Sequence, residues 1–179
     1  MRADLFVTPV YSGNIEFPDK VISKYAEWVK FKKELDSKGA SESTTQDGWQ
    51  YIFKNGEPVP DWLEMLSPVL NEIKEEIGFV RTKNIWTVDY STGGYQDPHF
   101  HTVGVSKVYT IIINLIGSSE IVIQDPRPVA MGQGYGFAHI ESLYPGKWLS
   151  MPAYVIHNSR PCKEPRSILV MDVYVKDGL

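Results

Sequence analysis

The hydrophobic pattern of the chain changes at Gly78, and this change limits the folds that the sequence can adopt. After Gly78, β-branched and aromatic residues gather in short runs at residues 85–90, 105–116, 120–123, 148–151, 154–156 and 167–175. Glycines and prolines that favour turns separate these runs. A series of short strands with a turn after each is typical of a β-sandwich or a jelly roll.

Before Gly78, apolar residues recur at helical spacing in two segments. Residues 18–35 predict one helix, and residues 61–77 predict a second helical region. The pair Ser67-Pro68 either interrupts this second region or begins a new helix within it. We therefore expect a mainly β protein of the α+β class, with N-terminal helices packed on one side.

The composition indicates one globular domain and excludes several classes of protein. A chain of 179 residues with 42% hydrophobic residues and no internal repeat predicts a single domain over 1–179, with a helical support region over 1–78. A net charge of −4 argues against nucleic-acid binding. The single cysteine, Cys162, excludes an intramolecular disulfide framework and a cysteine-rich zinc site. The sequence has neither a membrane-length apolar run nor a signal-like N-terminus, so we expect a cytoplasmic protein with no membrane partner. The sequence pattern does not indicate an oligomeric state.

The histidines carry the first indication of chemistry. His99 and His101 stand two residues apart, and on an extended segment such residues point to the same face. Imidazole nitrogens bind Fe(II), Zn, Ni and Cu, and His157, at the end of the run 154–156, is the best candidate for a third ligand. Asp97 shares a face with His99 and is an alternative ligand, although Asp-Pro favours a turn. An exposed histidine pair without a metal is the competing interpretation.

Arg166 follows His157 by nine residues and begins the last predicted strand. Such a residue could lie deeper in the same cavity, where a buried guanidinium needs an anion and its planar fork fits a carboxylate. A metal with open positions near this arginine would suit a small dicarboxylate. The alternative is a surface arginine that caps a turn.

The order of His-x-His, a distal histidine and an arginine nine residues later resembles the 2-oxoglutarate- and Fe(II)-dependent oxygenases. The chain is most similar to a bacterial and phage branch that has His-x-His where most of these oxygenases have His-x-Asp. Other segments agree with that branch: residues 5–11 (LFVTPVY), 106–109 (SKVY) and 121–127 (IVIQDPR). Only the spacing of the histidines and the arginine is specific.

The resemblance implies a double-stranded β-helix over 79–179 that holds Fe(II) through His99, His101 and His157. The cosubstrate 2-oxoglutarate would bind iron through its keto-acid end and Arg166 through its far carboxylate, with Tyr109 as a hydrogen-bonding partner. Molecular oxygen would then hydroxylate a C–H bond of a peptide or small-molecule substrate, with release of succinate and CO2.

The chain departs from the usual triad of two histidines and one carboxylate, and this departure leaves two other functions open. Three histidines also resemble the sites of cupin-type dioxygenases and isomerases that do not use 2-oxoglutarate. In such an enzyme Arg166 would bind a carboxylate of the substrate itself. The third possibility is a jelly-roll binding module without enzymatic activity.

Overall fold

A single curled antiparallel sheet dominates the fold. The computed structural model describes residues 8–40, 44–101, 107–125 and 138–176. Their elements in chain order are β1 (Tyr11–Asn14), α1 (Val21–Leu35), β2 (Thr45–Ile52), α2 (Asp61–Met65), α3 (Ser67–Ile77), β3 (Phe79–His99), β4 (Val108–Ile116), β5 (Ser119–Gln124), β6 (Ala138–Leu143), β7 (Lys147–Pro152), β8 (His157–Ser159) and β9 (Arg166–Val175). Residues 5–7, 106 and 126–127, which contributed to the resemblance, lie outside the described residues.

The long strand β3 joins the two halves of the sheet. Its first part, up to Tyr90, pairs with β9, whereas Gln96 and His99 pair with β8. The strand order is β1-β7-β4-β9-β3-β8-β5-β6, and β2 pairs with β3 outside this path. The sheet curls on itself as a double-stranded β-helix, which confirms the mainly β fold predicted from the sequence.

Alternation along the central strands separates two apolar layers. On β4, Ile111, Ile113 and Leu115 belong to the cluster beneath the helices, whereas Ile112 belongs to the cluster inside the curled sheet. Successive side chains of a strand point to opposite faces, so β4 packs against apolar residues on both sides. The polar residues Thr110 and Asn114 share the inner face with Ile112.

The helices cover the outer face of the sheet, as expected. Tyr25 of α1 packs edge-to-face on Trp62 of α2, with ring centroids 4.9 Å apart. The Tyr25 hydroxyl also donates to Thr87 Oγ1 of β3 at 2.8 Å. This buried hydrogen bond ties α1 to the sheet. No helix of the described ranges is long and apolar enough to cross a bilayer.

Several predicted boundaries need correction. Helix α1 begins at Val21 and not at residue 18, because Lys20 takes a left-handed conformation with φ of 68°. Residues 154–156 do not form a strand, since Val155 N–H closes a turn onto Pro152 O, and the strand begins at His157. A new helix, α3, begins at Ser67, which settles the two alternatives for Ser67-Pro68, although the N-cap is Leu66 and not Ser67. Gly78 ends this helix in the left-handed region, as predicted.

Three strands were absent from the sequence prediction. β1 and β2 lie within 1–78 and pair with β7 and β3, so this segment contributes strands as well as helices. β6 is mostly exposed and lacks an apolar run, which explains why its sequence gave no strand signal. The organisation of 1–179 as a single domain stays a prediction.

The turn between β4 and β5 provides a stability test. Gly117 has φ of 67°, and a Cβ there would lie 2.3 Å from Pro165 O, next to Arg166. Gly56 also has a positive φ, of 84°, but nothing lies within 4 Å of its Cβ position. We expect Gly56→Ala to lower the free energy of unfolding by about 1 kcal/mol through backbone strain alone. We expect Gly117→Ala to lower it by about 2–4 kcal/mol, because steric overlap adds to that strain.

Urea denaturation of the two variants measures the difference. Equal losses of stability would contradict the close approach of Pro165 to Gly117.

Candidate metal and anion site

Three histidines meet where β3 ends beside β8. His99 is the last residue of β3 and lies opposite His157, the first residue of β8. His101 follows two residues later, and its backbone N–H is fixed by Ala153 O at 2.8 Å. One ligand nitrogen from each of the three rings lies within 4.8 Å of the others. The structure therefore brings together the three side chains that the sequence singled out.

The hydrogen bonds of the rings determine which nitrogen is available to a metal. His99 Nδ1 lies 2.8 Å from Asp97 O, and His157 Nδ1 lies 3.0 Å from Val155 O. A carbonyl oxygen only accepts, so each Nδ1 carries the hydrogen and each Nε2 keeps a lone pair. His99 Nε2 lies 3.1 Å from His101 Nε2, so the two nitrogens are close enough to bind one metal ion. The donor set thus fits a metal such as Fe(II).

Burial favours the neutral state that a metal ligand requires. It lowers the pKa of His157 well below the usual 6.5, and the nearby His101 and His99 lower it further. Burial also lowers the pKa of His99. Both imidazoles are consequently neutral at pH 7.

Asp97 is not part of this group. Its side-chain oxygen accepts a hydrogen bond from Gln46 Nε2 at 2.9 Å, while its backbone oxygen accepts from the His99 ring. Within the described residues, the group of side chains that could hold a metal contains the three histidines and no carboxylate.

Arg166 begins β9 and is only 1% exposed. Its Nε donates to Asn114 Oδ1 at 2.8 Å, whereas its buried Nη2 has no hydrogen-bond partner in residues 8–40, 44–101, 107–125 and 138–176. Among the described residues no carboxylate forms an ion pair with it, and the centroid of the Tyr90 ring lies 5.8 Å from Cζ. Burial lowers the pKa of Arg166 to about 10, so the guanidinium is still charged at pH 7. Arg166 is therefore a buried cation with no anionic partner in the part of the chain that the structure describes.

One cavity connects the arginine to the histidines. It holds about 330 Å³ of empty space, including its opening to solvent. Its lining combines these polar groups with apolar walls and comprises Trp86, Tyr90, Gln96, His99, His101, Ile112, Ile121, His157, Ser159, Arg166, Ile168 and Val170. The expected placement of Arg166 in the same cavity as the histidines is therefore what the structure shows.

Tyr109 lies elsewhere. It packs against the apolar cluster beneath the helices, with its ring centroid 6.2 Å from that of Tyr11. Alternation on β4 directs Tyr109 away from the face that carries Thr110 and Asn114, which corrects its placement beside the carboxylate pocket. Tyr90 occupies the cavity instead.

The sequence interpretation missed four residues that shape the site: Tyr90, Thr110, Asn114 and Asp172. Tyr90 lies opposite Arg166 in the register of β3 and β9, which the sequence does not reveal. Thr110, Asn114 and Asp172 do leave a signal, because each is a buried polar residue within an apolar strand. Buried polar groups require partners, and here the partners are His101 and Arg166.

A second, wider hollow lies on the other side of His99 and His101. It holds about 900 Å³ of empty space and opens to solvent. Its other lining residues are amides, apolar groups, one hydroxyl and one buried carboxylate: Thr44, Gln50, Ile52, Asn84, Trp86, Gln96, Phe100 and Asp172. The histidines thus separate a narrow inner cavity from an open groove.

Comparisons with known proteins identify the fold. No protein-family model matches the chain, and no curated protein matches it. A prolyl-4-hydroxylase from Pseudomonas putida has a TM-score of 0.65 at 11% identity, covering 97% of this chain and 96% of its own. A Trichoplax adhaerens prolyl hydroxylase, solved with a hypoxia inducible factor peptide fragment, has a TM-score of 0.66 at 8% identity, covering 92% and 83%. The viral collagen prolyl hydroxylase of Paramecium Bursaria Chlorella virus-1, solved as its 2OG complex, has a TM-score of 0.58 at 13% identity, covering 93% and 97%.

The depressed histidine pKa values predict how the stability of the metal-free protein depends on pH. Because the pKa values of His99 and His157 are lowered on folding, the unfolded chain binds more protons at these residues than the folded chain does below about pH 6.5. The free energy of unfolding should therefore fall as the pH drops from 7 to 5, by up to about 1.4 kcal/mol per pH unit for each such histidine. Denaturant titrations in the presence of a chelator measure this slope. His157→Gln should make it shallower, and a slope identical to that of the wild type would contradict the buried neutral state.

Proposed function

We propose that the chain is a 2-oxoglutarate- and Fe(II)-dependent oxygenase that hydroxylates a C–H bond of a peptide or small molecule. The single observation that carries this proposal is the buried guanidinium of Arg166, which has no anionic partner within the described residues and shares one narrow cavity with three histidines. His99, His101 and His157 hold the metal through Nε2, and Arg166 holds the far carboxylate of the cosubstrate.

The chemistry of the two ends of the cavity supports a keto-dicarboxylate. A guanidinium removed from water is stabilised by a carboxylate that accepts two parallel hydrogen bonds, and Nη2 of Arg166 is free to donate. A second anionic group of the same molecule can reach the metal. The fold shared with an enzyme solved as its 2OG complex agrees with this arrangement.

When bound, iron and 2-oxoglutarate would supply the oxidising chemistry together with molecular oxygen, one atom of which would enter succinate, formed with CO2, and the other the new hydroxyl group of the substrate. The protein positions these groups. Asn114 fixes the guanidinium plane through its bond to Nε of Arg166. Tyr90, whose pKa burial raises to about 12, stays neutral and donates to Gln96 Oε1 at 2.7 Å. Ile112 and Ile168 exclude water from the inner cavity.

The open groove provides the place for the primary substrate. It reaches His99 and His101 from the solvent side, so a substrate there lies next to the metal. Amide groups of Gln50, Asn84 and Gln96 can donate to and accept from a peptide or another uncharged polar group. Trp86 lines both the groove and the inner cavity.

A second candidate function follows from the absence of a carboxylate among the ligand atoms of the described residues. A three-histidine dioxygenase or isomerase would use the same metal without 2-oxoglutarate. In that enzyme, Arg166 would bind a carboxylate of the substrate. Binding of 2-oxoglutarate to the metal distinguishes the two functions.

Titration of 2-oxoglutarate into the anaerobic Fe(II) protein tests the role of Arg166. We expect a charge-transfer absorption in the wild type. Arg166→Met should weaken cosubstrate binding by about 2–5 kcal/mol, which is at least roughly 30-fold in the dissociation constant. Arg160→Met is the matched control, because Arg160 is exposed and pairs with Glu120. No absorption in the wild type would favour the second function, and unchanged binding by Arg166→Met would refute the anion site.

Turnover tests the histidines. Fe(II), oxygen and 2-oxoglutarate should give succinate slowly even without the primary substrate. His157→Ala should abolish this product because it removes a ligand, whereas His139→Ala should retain it, since His139 is exposed on β6. Succinate can be quantified by chromatography. Full turnover by His157→Ala would refute the metal assignment.

A further inference from the structure

We propose that Asp172 is a positioning residue of the metal site. It acts through His101, and its carboxylate supplies the negative charge that a carboxylate ligand normally provides to the metal. This inference rests on the proposed function, because it assumes that His101 binds a metal. It concerns a residue that does not touch the metal itself.

The contact between the two side chains is direct and buried. Asp172 Oδ1 lies 2.8 Å from His101 Nδ1, and the side chains are 3% and 8% exposed. A carboxylate oxygen accepts, so Nδ1 carries the hydrogen and Nε2 faces the other histidines with its lone pair. Among the described residues, no lysine or arginine forms an ion pair with Asp172. The charge of this carboxylate is therefore directed at His101.

His101 differs in this respect from the other two histidines. The Nδ1 atoms of His99 and His157 donate to neutral backbone oxygens, those of Asp97 and Val155. Of the three rings, only that of His101 has a carboxylate of the described residues within hydrogen-bonding distance of its Nδ1. A carboxylate behind a ligating imidazole fixes its tautomer and orientation and raises its basicity.

The position of His101 in the chain explains why a carboxylate beside its ring matters for the metal site. A facial triad consists of two histidines and one carboxylate, and His101 stands where the resemblance places the carboxylate of most relatives. In this chain the carboxylate lies one side chain further from the metal. The charge is retained while the ligand atom changes from oxygen to nitrogen.

Neighbouring strands hold the carboxylate in place. Thr110 of β4 lies opposite Asp172 of β9 in the strand register. Thr110 Oγ1 donates to Asp172 Oδ1 at 2.8 Å and lies 2.8 Å from His101 Nδ1. The Trp86 ring lies beside His101, with centroids 5.2 Å apart. The position of the acceptor is thus fixed by the sheet rather than by a mobile loop.

A pair of matched substitutions tests the inference. Asp172→Asn and Asp97→Asn each remove one carboxylate close to the histidines without changing its shape, but only Asp172 contacts a ring nitrogen through its side chain. The probe is Co(II), titrated into metal-free protein without 2-oxoglutarate and followed by its visible absorption. We expect Asp172→Asn to raise the dissociation constant roughly 10- to 100-fold. Asp97→Asn should stay close to the wild-type value.

A second measurement separates positioning from a merely structural role. The Fe(III)/Fe(II) potential should rise in Asp172→Asn, because the lost negative charge stabilised the ferric state, and it should not rise in Asp97→Asn. Thermal unfolding of the metal-free proteins reports stability independently. Should Asp172→Asn fail to fold, Thr110→Val removes only the hydroxyl that fixes the carboxylate, and it should weaken Co(II) binding by a smaller factor than expected for Asp172→Asn.

The outcomes separate this inference from the function on which it rests. A wild-type protein that binds no Co(II) would refute the metal site and, with it, the role of Asp172. Tight binding by the wild type with equal constants for Asp172→Asn and Asp97→Asn would overturn the role of Asp172 and leave the metal site intact. A loss of stability without a change in affinity or potential would also overturn it.

Discussion

The positive charge of Arg166, enclosed within a β sheet, is the constraint around which the inner cavity is organised. Removing a guanidinium from water is costly, and Asn114 and the Tyr90 ring offset that cost only in part. The apolar walls of the cavity raise this desolvation cost further. In addition, no carboxylate among the described residues forms an ion pair with the guanidinium. Binding of a carboxylate would relieve this cost, and the cavity that Arg166 shares with the three histidines is where the proposed cosubstrate would provide one.

Strand alternation determines which residues reach this cavity. The inner faces of β4 and β9 carry Thr110, Asn114 and Asp172 among isoleucines and valines. Each of these polar groups contacts a side chain of the site: Asn114 holds Arg166, and Asp172 and Thr110 hold His101. The outer faces of the same strands pack beneath the helices and contribute no functional group to the cavity. The pairing of β4 with β9, whose register shifts between Asn114 and Ile116, therefore contributes side chains to both ends of the site.

The sequence predicted the local parts of this arrangement and missed the parts that depend on pairing between distant strands. The spacing of His99 and His101 predicted that their side chains share a face. Residues two positions apart on an extended chain point to the same side, whichever strands pair with it. Tyr90 was missed because it meets Arg166 only through the pairing of β3 with β9. Tyr109 was misplaced because β4 is apolar on both faces, so its pattern does not indicate which face lines the cavity. β6 was missed because its residues are mostly exposed.

Charge balance explains why a site with three neutral ligands suits the proposed cosubstrate. In a triad with one carboxylate ligand, the two positive charges of Fe(II) and one from the arginine are balanced by that ligand and by the two carboxylates of 2-oxoglutarate. Replacing the ligand by His101 would leave one positive charge uncompensated in a poorly solvated cavity, at considerable cost. Asp172 Oδ1 lies 2.8 Å from His101 Nδ1, so under the proposed function its carboxylate would restore neutrality without occupying a coordination position. In that case the acidic residue on β9 would compensate for an imidazole that stands where a carboxylate ligand is usual.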